Sequence, residues 1–143
     1  MGLIEIASAK SVWRAIDYVE REKVVCWTKH KDTYDGLVEG SNGDTYKVYV
    51  DTVHPRKSTC TCPFAQEHRV ICKHMLAIYF SGEPKVLENF LQEVEDYEEQ
   101  ERQNAAKHES DLYKATGMMS REELRSELVS AWLELEDYRS RRW

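Results

Sequence analysis

The sequence contains no apolar run long enough to cross a membrane. Its longest apolar stretch, Met75 to Phe80, is far shorter than the ~20 residues that a transmembrane helix needs. The first residues also lack the long apolar segment of a secretory signal peptide. With 41% hydrophobic and 32% charged residues, the composition is that of an ordinary folded domain. We therefore expect a cytoplasmic protein without a membrane-bound part.

The chain also lacks an excess of positive charge. Its 143 residues include 20 Lys and Arg against 26 Asp and Glu, a net charge of −6. Residues 1–80 carry 11 basic and 10 acidic side chains, whereas residues 81–143 carry 9 basic and 16 acidic ones. Because an acidic surface repels phosphate, any contact with nucleic acid is expected from residues 1–80.

The four cysteines do not form the pattern of a disulfide framework. Cys26 stands alone, whereas Cys60, Cys62 and Cys72 lie close together and are followed by His74. A reducing compartment disfavours disulfides. Three thiols and an imidazole at close spacing instead indicate a metal site.

Hydrophobic periodicity predicts a small α+β fold. Val12, Ile16 and Val19 form one stripe of an N-terminal helix over residues 8–23. Extended segments with β-branched and aromatic residues follow, and Asn42-Gly43 between two of them predicts a hairpin turn. The predicted antiparallel strands are 24–28, 34–39, 46–51 and 58–62. A short apolar helix is predicted over residues 73–80, followed by a C-terminal helical extension.

The C-terminal extension has two parts. A helix is expected to begin at Pro84, but its apolar stripe ends near residue 97, so residues 98–110 predict either a solvated continuation or a linker. Ser120 and Glu123 then form a capping-box pattern, and an apolar stripe follows at helical spacing. Its members are Leu124, Leu128, Ala131 and Leu135. This stripe must bury against the rest of the chain, a partner or a second copy.

The cysteine and histidine spacing favours zinc. Three thiolates and one imidazole form the closed tetrahedral set of many structural zinc sites. On a strand, Cys60 and Cys62 project from the same face, so both can contact one ion. Cys72 and His74 can converge on it if Cys72 lies in the loop and His74 in the first turn of the next helix. The ion would then join the last strand to a short helix.

These residues resemble a known family. Cys60-Thr61-Cys62-Pro63-Phe64 and Cys72-Lys73-His74-Met75 are similar to the SWIM-type zinc finger, whose pattern is C-x-C, a variable spacer and C-x-H. The resemblance implies a compact zinc module that binds DNA or protein and is not catalytic. It also implies that Cys60, Cys62, Cys72 and His74 are the zinc ligands. We accordingly expect a SWIM-type domain over residues 1–80 and an acidic helical region over residues 81–143.

Three other interpretations of the cluster remain open: buried cysteines without a ligand, a redox dithiol, and a catalytic zinc. A catalytic zinc would need an open position for water, and the nearest carboxylate in sequence is that of Glu67. His68 could also compete as a ligand, but we expect it in a solvated loop. Cys26, in a β-branched run, is expected in the core.

Two surface features are also ambiguous. Aromatic residues at periodic positions are usually core residues, but they could also offer stacking surfaces for single strands. They are Trp13, Trp27, Tyr46 and Phe64. Basic residues near the cluster could form a weak phosphate-facing patch or an ordinary mixed-charge surface. They are Lys47, Arg56, Lys57, Arg69 and Lys73.

The sequence therefore predicts a zinc-dependent, non-catalytic module that binds DNA, a protein partner or both. A place in DNA metabolism follows only from the resemblance. The alternative is a pure protein-interaction adaptor that docks through the acidic C-terminal helices.

Overall fold

A computed structural model describes residues 2–142 and confirms the α+β class. The described chain divides into two compact units, of which the first extends to Glu93 and the second begins at Val94. Its helices are α1 (Leu3–Ile6), α2 (Ala9–Glu20), α3 (Pro63–His68), α4 (Lys73–Gly82), α5 (Pro84–Gly117) and α6 (Arg121–Arg141). Its strands are β1 (Val24–His30), β2 (Thr33–Glu39), β3 (Thr45–Asp51) and β4 (Thr59–Cys60).

The four strands form one antiparallel sheet in the order β1-β2-β3-β4. The predicted hairpin joins β2 to β3, where Gly43 adopts the positive φ of 82° that its turn requires. Tyr34 lies opposite Val50 and Gly36 opposite Val48, so these side-chain positions share one face of the sheet. That face is the one turned toward the helices, since Tyr34, Val48 and Val50 are all buried.

Helix α4 is the centre of the first unit. It contacts the strands of the sheet and also packs against α2. Leu76, Ala77, Ile78 and Phe80 are therefore at most 1% exposed. A helix that is apolar on all sides is stable only when it is covered on all sides, which explains why this run has no polar face. The first turns of α5 add Leu87, Phe90 and other partly buried residues to the same core.

The helices cover only one face of the sheet, and this corrects one prediction. Cys26 pairs with Leu37 in the register of β1 and β2, on the face opposite the helices. Its thiol is consequently exposed, and the prediction that Cys26 is a core residue is wrong.

The prediction of an aromatic core is also wrong for three of the four residues. Trp13, Trp27 and Phe64 are 48%, 42% and 49% exposed, respectively. Trp27 lies on the edge strand β1, which has no neighbour beyond it, and Trp13 only meets the edge of the Phe90 ring. Tyr46 alone is half-buried, because it packs against His74.

The spacer between the two cysteine pairs is partly helical. The loop expected there is replaced over Pro63–His68 by α3, so His68 lies on a helix and not in a loop. Pro63 occupies the first helical turn, where its missing N–H costs nothing. Cys62 is the N-cap, and its Sγ accepts a hydrogen bond from the Ala65 N–H at 3.4 Å. The strand thus ends at Cys60, and Pro63 begins a helix where the prediction had it end the strand.

The second unit consists of the rest of α5 and α6. Helix α5 runs without interruption to Gly117, which settles the two interpretations of residues 98–110 in favour of a helix. Side-chain pairs one turn apart stabilise it, such as Arg102 with Glu99 at 2.8 Å. The predicted capping box of α6 is confirmed by the Ser120 N–H to Glu123 Oε2 distance of 2.7 Å and its reciprocal bond. Every described residue from 95 to 142 is exposed. Within the described residues, no helix is both long and apolar enough to span a membrane.

Candidate metal centre

Two chain segments bring the four predicted residues together. Cys60 is the last residue of β4, opposite Val48 of β3, and Cys62 caps α3 just beyond it. Cys72 is the N-cap of α4 and His74 lies in the first turn of that helix. Cys72 and His74 lie as their spacing predicted, one before the helix and one in its first turn. The prediction that Cys60 and Cys62 share one face of a strand over 58–62 is wrong, because β4 ends at Cys60 and Cys62 already caps α3.

The geometry of the cluster fits a tetrahedral zinc ion. All four ligand atoms lie within 4.8 Å of one another. Nδ1 of His74 is 3.7 Å from Sγ of Cys60 and 3.8 Å from Sγ of Cys72. Zinc bonds of about 2.3 Å to sulfur and about 2.0 Å to nitrogen, at tetrahedral angles, place ligand atoms roughly 3.6–3.8 Å apart. The residues present therefore fit the ion in number, chemistry and spacing.

The cluster is closed to solvent. Cys60, Cys62, Cys72 and His74 are 5%, 2%, 1% and 4% exposed. Among the described His, Cys, Asp and Glu side chains, these four are the ones whose ligand atoms lie close enough together for a metal. The group contains no carboxylate. Four such donors would fill a tetrahedral coordination sphere, as they do in structural zinc sites.

Backbone hydrogen bonds prepare the three sulfurs to carry negative charge. The N–H of Cys62 donates to Sγ of Cys60 and the N–H of Ala65 donates to Sγ of Cys62, each at 3.4 Å. The backbone of Met75 donates to Cys72 in the same way. Hydrogen bonds to the charged form favour the thiolate, which is the form that binds a metal.

The thiols are crowded and desolvated, and their pKa values diverge as a result. The hydrogen bond from Cys60 lowers the pKa of Cys72 to about 4. That same bond, with burial, raises the pKa of Cys60 above its ordinary value, and burial raises the pKa of Cys62. Burial and mutual crowding thus oppose negative charge on all three sulfurs at once. A divalent cation is what would allow all three sulfurs to be charged together.

Two aromatic rings fix the orientation of His74. The Tyr46 ring lies 4.8 Å from the imidazole and the Tyr18 ring meets it edge-on at 5.5 Å, both measured between centroids. Nδ1 faces the sulfurs, while Nε2 is buried without a hydrogen-bond partner among the described residues. Sequence reasoning missed the role of Tyr18, because its helical periodicity looks like ordinary core packing and it lies far from the cysteines in sequence.

The other candidate ligands lie outside the cluster. His68 and Glu67 are exposed on α3 and face one another at 4.0 Å. Cys26 is an exposed free thiol on β1. None of these three side chains joins the four predicted residues within the described chain.

The structure distributes the predicted basic patch over different surfaces. Lys73 lines a cavity beside the cluster, together with Cys62, Cys72 and His74. Arg56 and Arg69 line a separate groove next to β4, and Lys47 lies on the exposed face of the sheet. Lys57 lines a further cavity that it shares with Arg56, so the five residues are divided among several cavities.

Comparison with known families identifies the segment that carries the cluster. The SWIM zinc finger family model matches residues 46–82, which extend from β3 to the end of α4. No curated protein and no solved structure gives a significant match to the chain. Residues 46–82 are therefore similar to a SWIM zinc finger, and this match, with the four converging side chains, supports zinc as the cofactor.

Proposed function

We propose that Cys60, Cys62, Cys72 and His74 hold one structural zinc ion, and that residues 1–80 form a non-catalytic domain that binds DNA. The observation that carries the structural role is the closure of the cluster by four buried donors. Zinc that activates water keeps a coordination position open and has a base nearby. Here the neighbouring carboxylate in sequence, that of Glu67, is exposed on α3.

The choice of DNA as the partner is supported by charge. Residues 1–80 carry 11 basic and 10 acidic side chains, a net charge of +1, whereas residues 81–143 carry 9 and 16, a net charge of −7. Several of these cations are exposed and form no ion pair with a described residue. They are Lys10, Arg14, Lys47, Arg56 and Arg69. Cations that are free of carboxylate partners can neutralise phosphates and release their counterions. A task in DNA metabolism is proposed only by analogy with the SWIM family.

The experiment is a gel-shift series with the zinc-loaded full chain and labelled DNA at about 50 and about 200 mM salt. Binding that weakens steeply with salt would support the proposal, because phosphate contacts release counterions. A chelated sample serves as the control and should lose affinity if zinc maintains the binding surface. Absence of binding at the lower salt concentration would contradict the DNA function.

A protein adaptor is the second candidate, and the exposed C-terminal helices favour it. Helix α6 contributes no buried residue. Even the apolar side chains of its stripe are in solvent, since Leu128 and Leu135 are 54% and 51% exposed. A helix with such a stripe is stabilised when another surface covers it.

Affinity capture with mass spectrometry tests this function. Leu128→Glu should lose a partner that Met118→Glu retains, because Met118, 89% exposed, lies outside α6. Equal capture by both variants would contradict docking through the stripe.

We also propose a cytoplasmic location. Three clustered thiols bind zinc only when they are reduced, and the cytoplasm maintains that state. Fractionation of cells that express the full chain, with a marker enzyme for each compartment, tests the location. Recovery in a secreted fraction would contradict it.

A further inference from the structure

The cavity beside the cluster combines positive charge with hydroxyl groups. Its volume is about 230 Å³, several times the ~30 Å³ that a water molecule occupies in the liquid. Its lining includes the cations Lys10, Arg14 and Lys73 and the hydroxyls of Ser8 and Ser11. Among the described residues, no Asp or Glu lines it. Such a lining suits an anion.

The three cations come from two helices that the fold brings together. Lys10 and Arg14 lie one turn apart on α2, and Lys73 is the first residue of α4. The Nζ of Lys73 lies 4.8 Å from the centroid of the Tyr18 ring, which helps to hold it in place. None of the three cations forms an ion pair with a described residue, so their charge is available to a ligand.

The charge balance remains positive when the metal is included. One Zn²⁺ with three thiolates and a neutral imidazole carries −1, and the three cations add +3. The net +2 close to the cavity is unusual in a chain whose overall charge is −6. The cavity is therefore a locally positive site that can attract phosphate, on a protein whose net negative charge repels it.

An aromatic ring completes the site. Phe64 of α3 lines the same cavity and is 49% exposed, although apolar rings of this size usually pack inside. The ring of His68, one turn later on α3, lies 5.1 Å from it. An exposed ring next to cations is the combination with which proteins bind single strands, because the ring stacks on a base while the cations hold the backbone. Duplex DNA keeps its bases stacked on one another and cannot use this ring.

We propose that this cavity binds single-stranded nucleic acid, with a backbone phosphate held by Lys10, Arg14 and Lys73 and a neighbouring base stacked on Phe64. This inference rests on the proposed function and names the strand type and the residues that would carry it. The groove of Arg56 and Arg69 is distinguished by its lining, which contains no aromatic residue among those described.

Fluorescence anisotropy with the zinc-loaded full chain tests the proposal. The probes are a labelled DNA oligonucleotide of mixed sequence, the RNA of the same sequence, and the corresponding duplex DNA. Three cations on a single strand predict a slope of about −2 for log affinity against log salt, hence roughly an 18-fold loss between 50 and 200 mM salt. Tighter binding of the DNA or RNA strand than of the duplex would support the proposal. Equal or tighter binding of the duplex would overturn it.

Two matched pairs of variants assign the residues. Lys10→Ala/Arg14→Ala should reduce the slope to about −0.7 and the affinity at 50 mM salt by on the order of tenfold. Lys107→Ala/Lys114→Ala removes the same charge from the exposed helix α5, outside residues 1–80, and should keep the slope of the wild-type protein. Phe64→Leu should weaken binding about fivefold or more at an unchanged slope, since it removes stacking and no charge. Trp27→Leu, at an exposed ring on β1, is its control.

The outcomes separate this inference from the proposed function. If the wild-type protein binds none of the probes at 50 mM salt, both the DNA function and the inference fail. If it binds DNA but the two double variants behave alike, the inference alone fails. Zinc content measured on each variant tests whether the cations serve instead to balance the charge of the zinc–thiolate centre. If Lys10→Ala/Arg14→Ala loses zinc and keeps its affinity for the strand, the cations only balance the zinc–thiolate charge and the inference is wrong.

Discussion

Replacement of Cys62 by serine is the most direct test of the proposed zinc centre. Cys62 has two structural roles, as a proposed ligand and as the N-cap of α3, where its Sγ accepts the Ala65 N–H. Serine is among the best N-cap residues, so Cys62→Ser should keep the cap. The substitution thus removes one thiolate and little else, which makes its effect a measure of the metal centre.

The expected magnitude follows from the closure of the site. Structural zinc contributes about 10–16 kcal/mol of apparent folding free energy in small zinc fingers, so one of four ligands corresponds to roughly 2.5–4 kcal/mol. A domain of this size is stable by only about 5–15 kcal/mol. Each 1 kcal/mol shifts the unfolding midpoint by about 4–8 °C in a domain of 60–100 residues. We therefore expect Cys62→Ser to lower the midpoint by about 10 °C or more.

Thermal unfolding followed by circular dichroism, together with elemental analysis of zinc, measures both consequences. Cys26→Ser is the matched control, because Cys26 is an exposed thiol on the open face of the sheet. It should keep one zinc per chain and the midpoint of the wild-type protein. If Cys62→Ser does not fold, cobalt substitution of the wild-type protein still reports whether the ion has thiolate ligands. A Cys62→Ser protein with one tightly bound zinc and an unchanged midpoint would refute the assignment of the four ligands.

Three further predictions concern the first unit. Chelation of zinc should accelerate amide hydrogen exchange over residues 58–80. Exchange in α6 should stay the same, because no α6 side chain is buried. Unchanged exchange over 58–80 after verified zinc removal would contradict this. Gly36→Ala should destabilise the unit by about 1–3 kcal/mol in chemical denaturation. The added Cβ would overlap the Ile78 side chain and lie 2.6 Å from the backbone oxygen of Cys26. The control Gly117→Ala adds a Cβ in open space and should have no effect. Two backbone N–H groups lower the pKa of Asp51 by donating to its Oδ1, that of His54 at 2.8 Å and that of Val53 at 3.0 Å. The contribution of ionised Asp51 to folding stability is therefore complete above about pH 4 and declines as the pH falls through the folded pKa. The midpoint difference between wild type and Asp51→Asn should therefore shrink below about pH 4, and a constant difference would be the contrary result.

Local patterns in the sequence determined the elements of the fold and the chemistry of the cluster. The stripe of Val12 and Ile16 predicted α2, the Asn42-Gly43 pair predicted the hairpin, and Ser120 with Glu123 predicted the cap of α6. These signals act over a few residues, through side-chain periodicity, turn geometry and one capping hydrogen bond. The cysteine and histidine spacing is equally local, because each pair needs only the geometry of its own strand end or helix start.

Tertiary structure alone decided which surfaces are covered. Cys26 and Trp27 have the same β-branched surroundings as buried residues, but helices pack on one face of the sheet only and β1 is an edge strand. The convergence of Arg14 with Lys73 and Phe64 likewise depends on how α2 packs against α4, and no short-range pattern connects residues so far apart. The sequence by itself thus predicted the four side chains that converge, whereas their burial and the cationic cavity beside them result from contacts between distant segments.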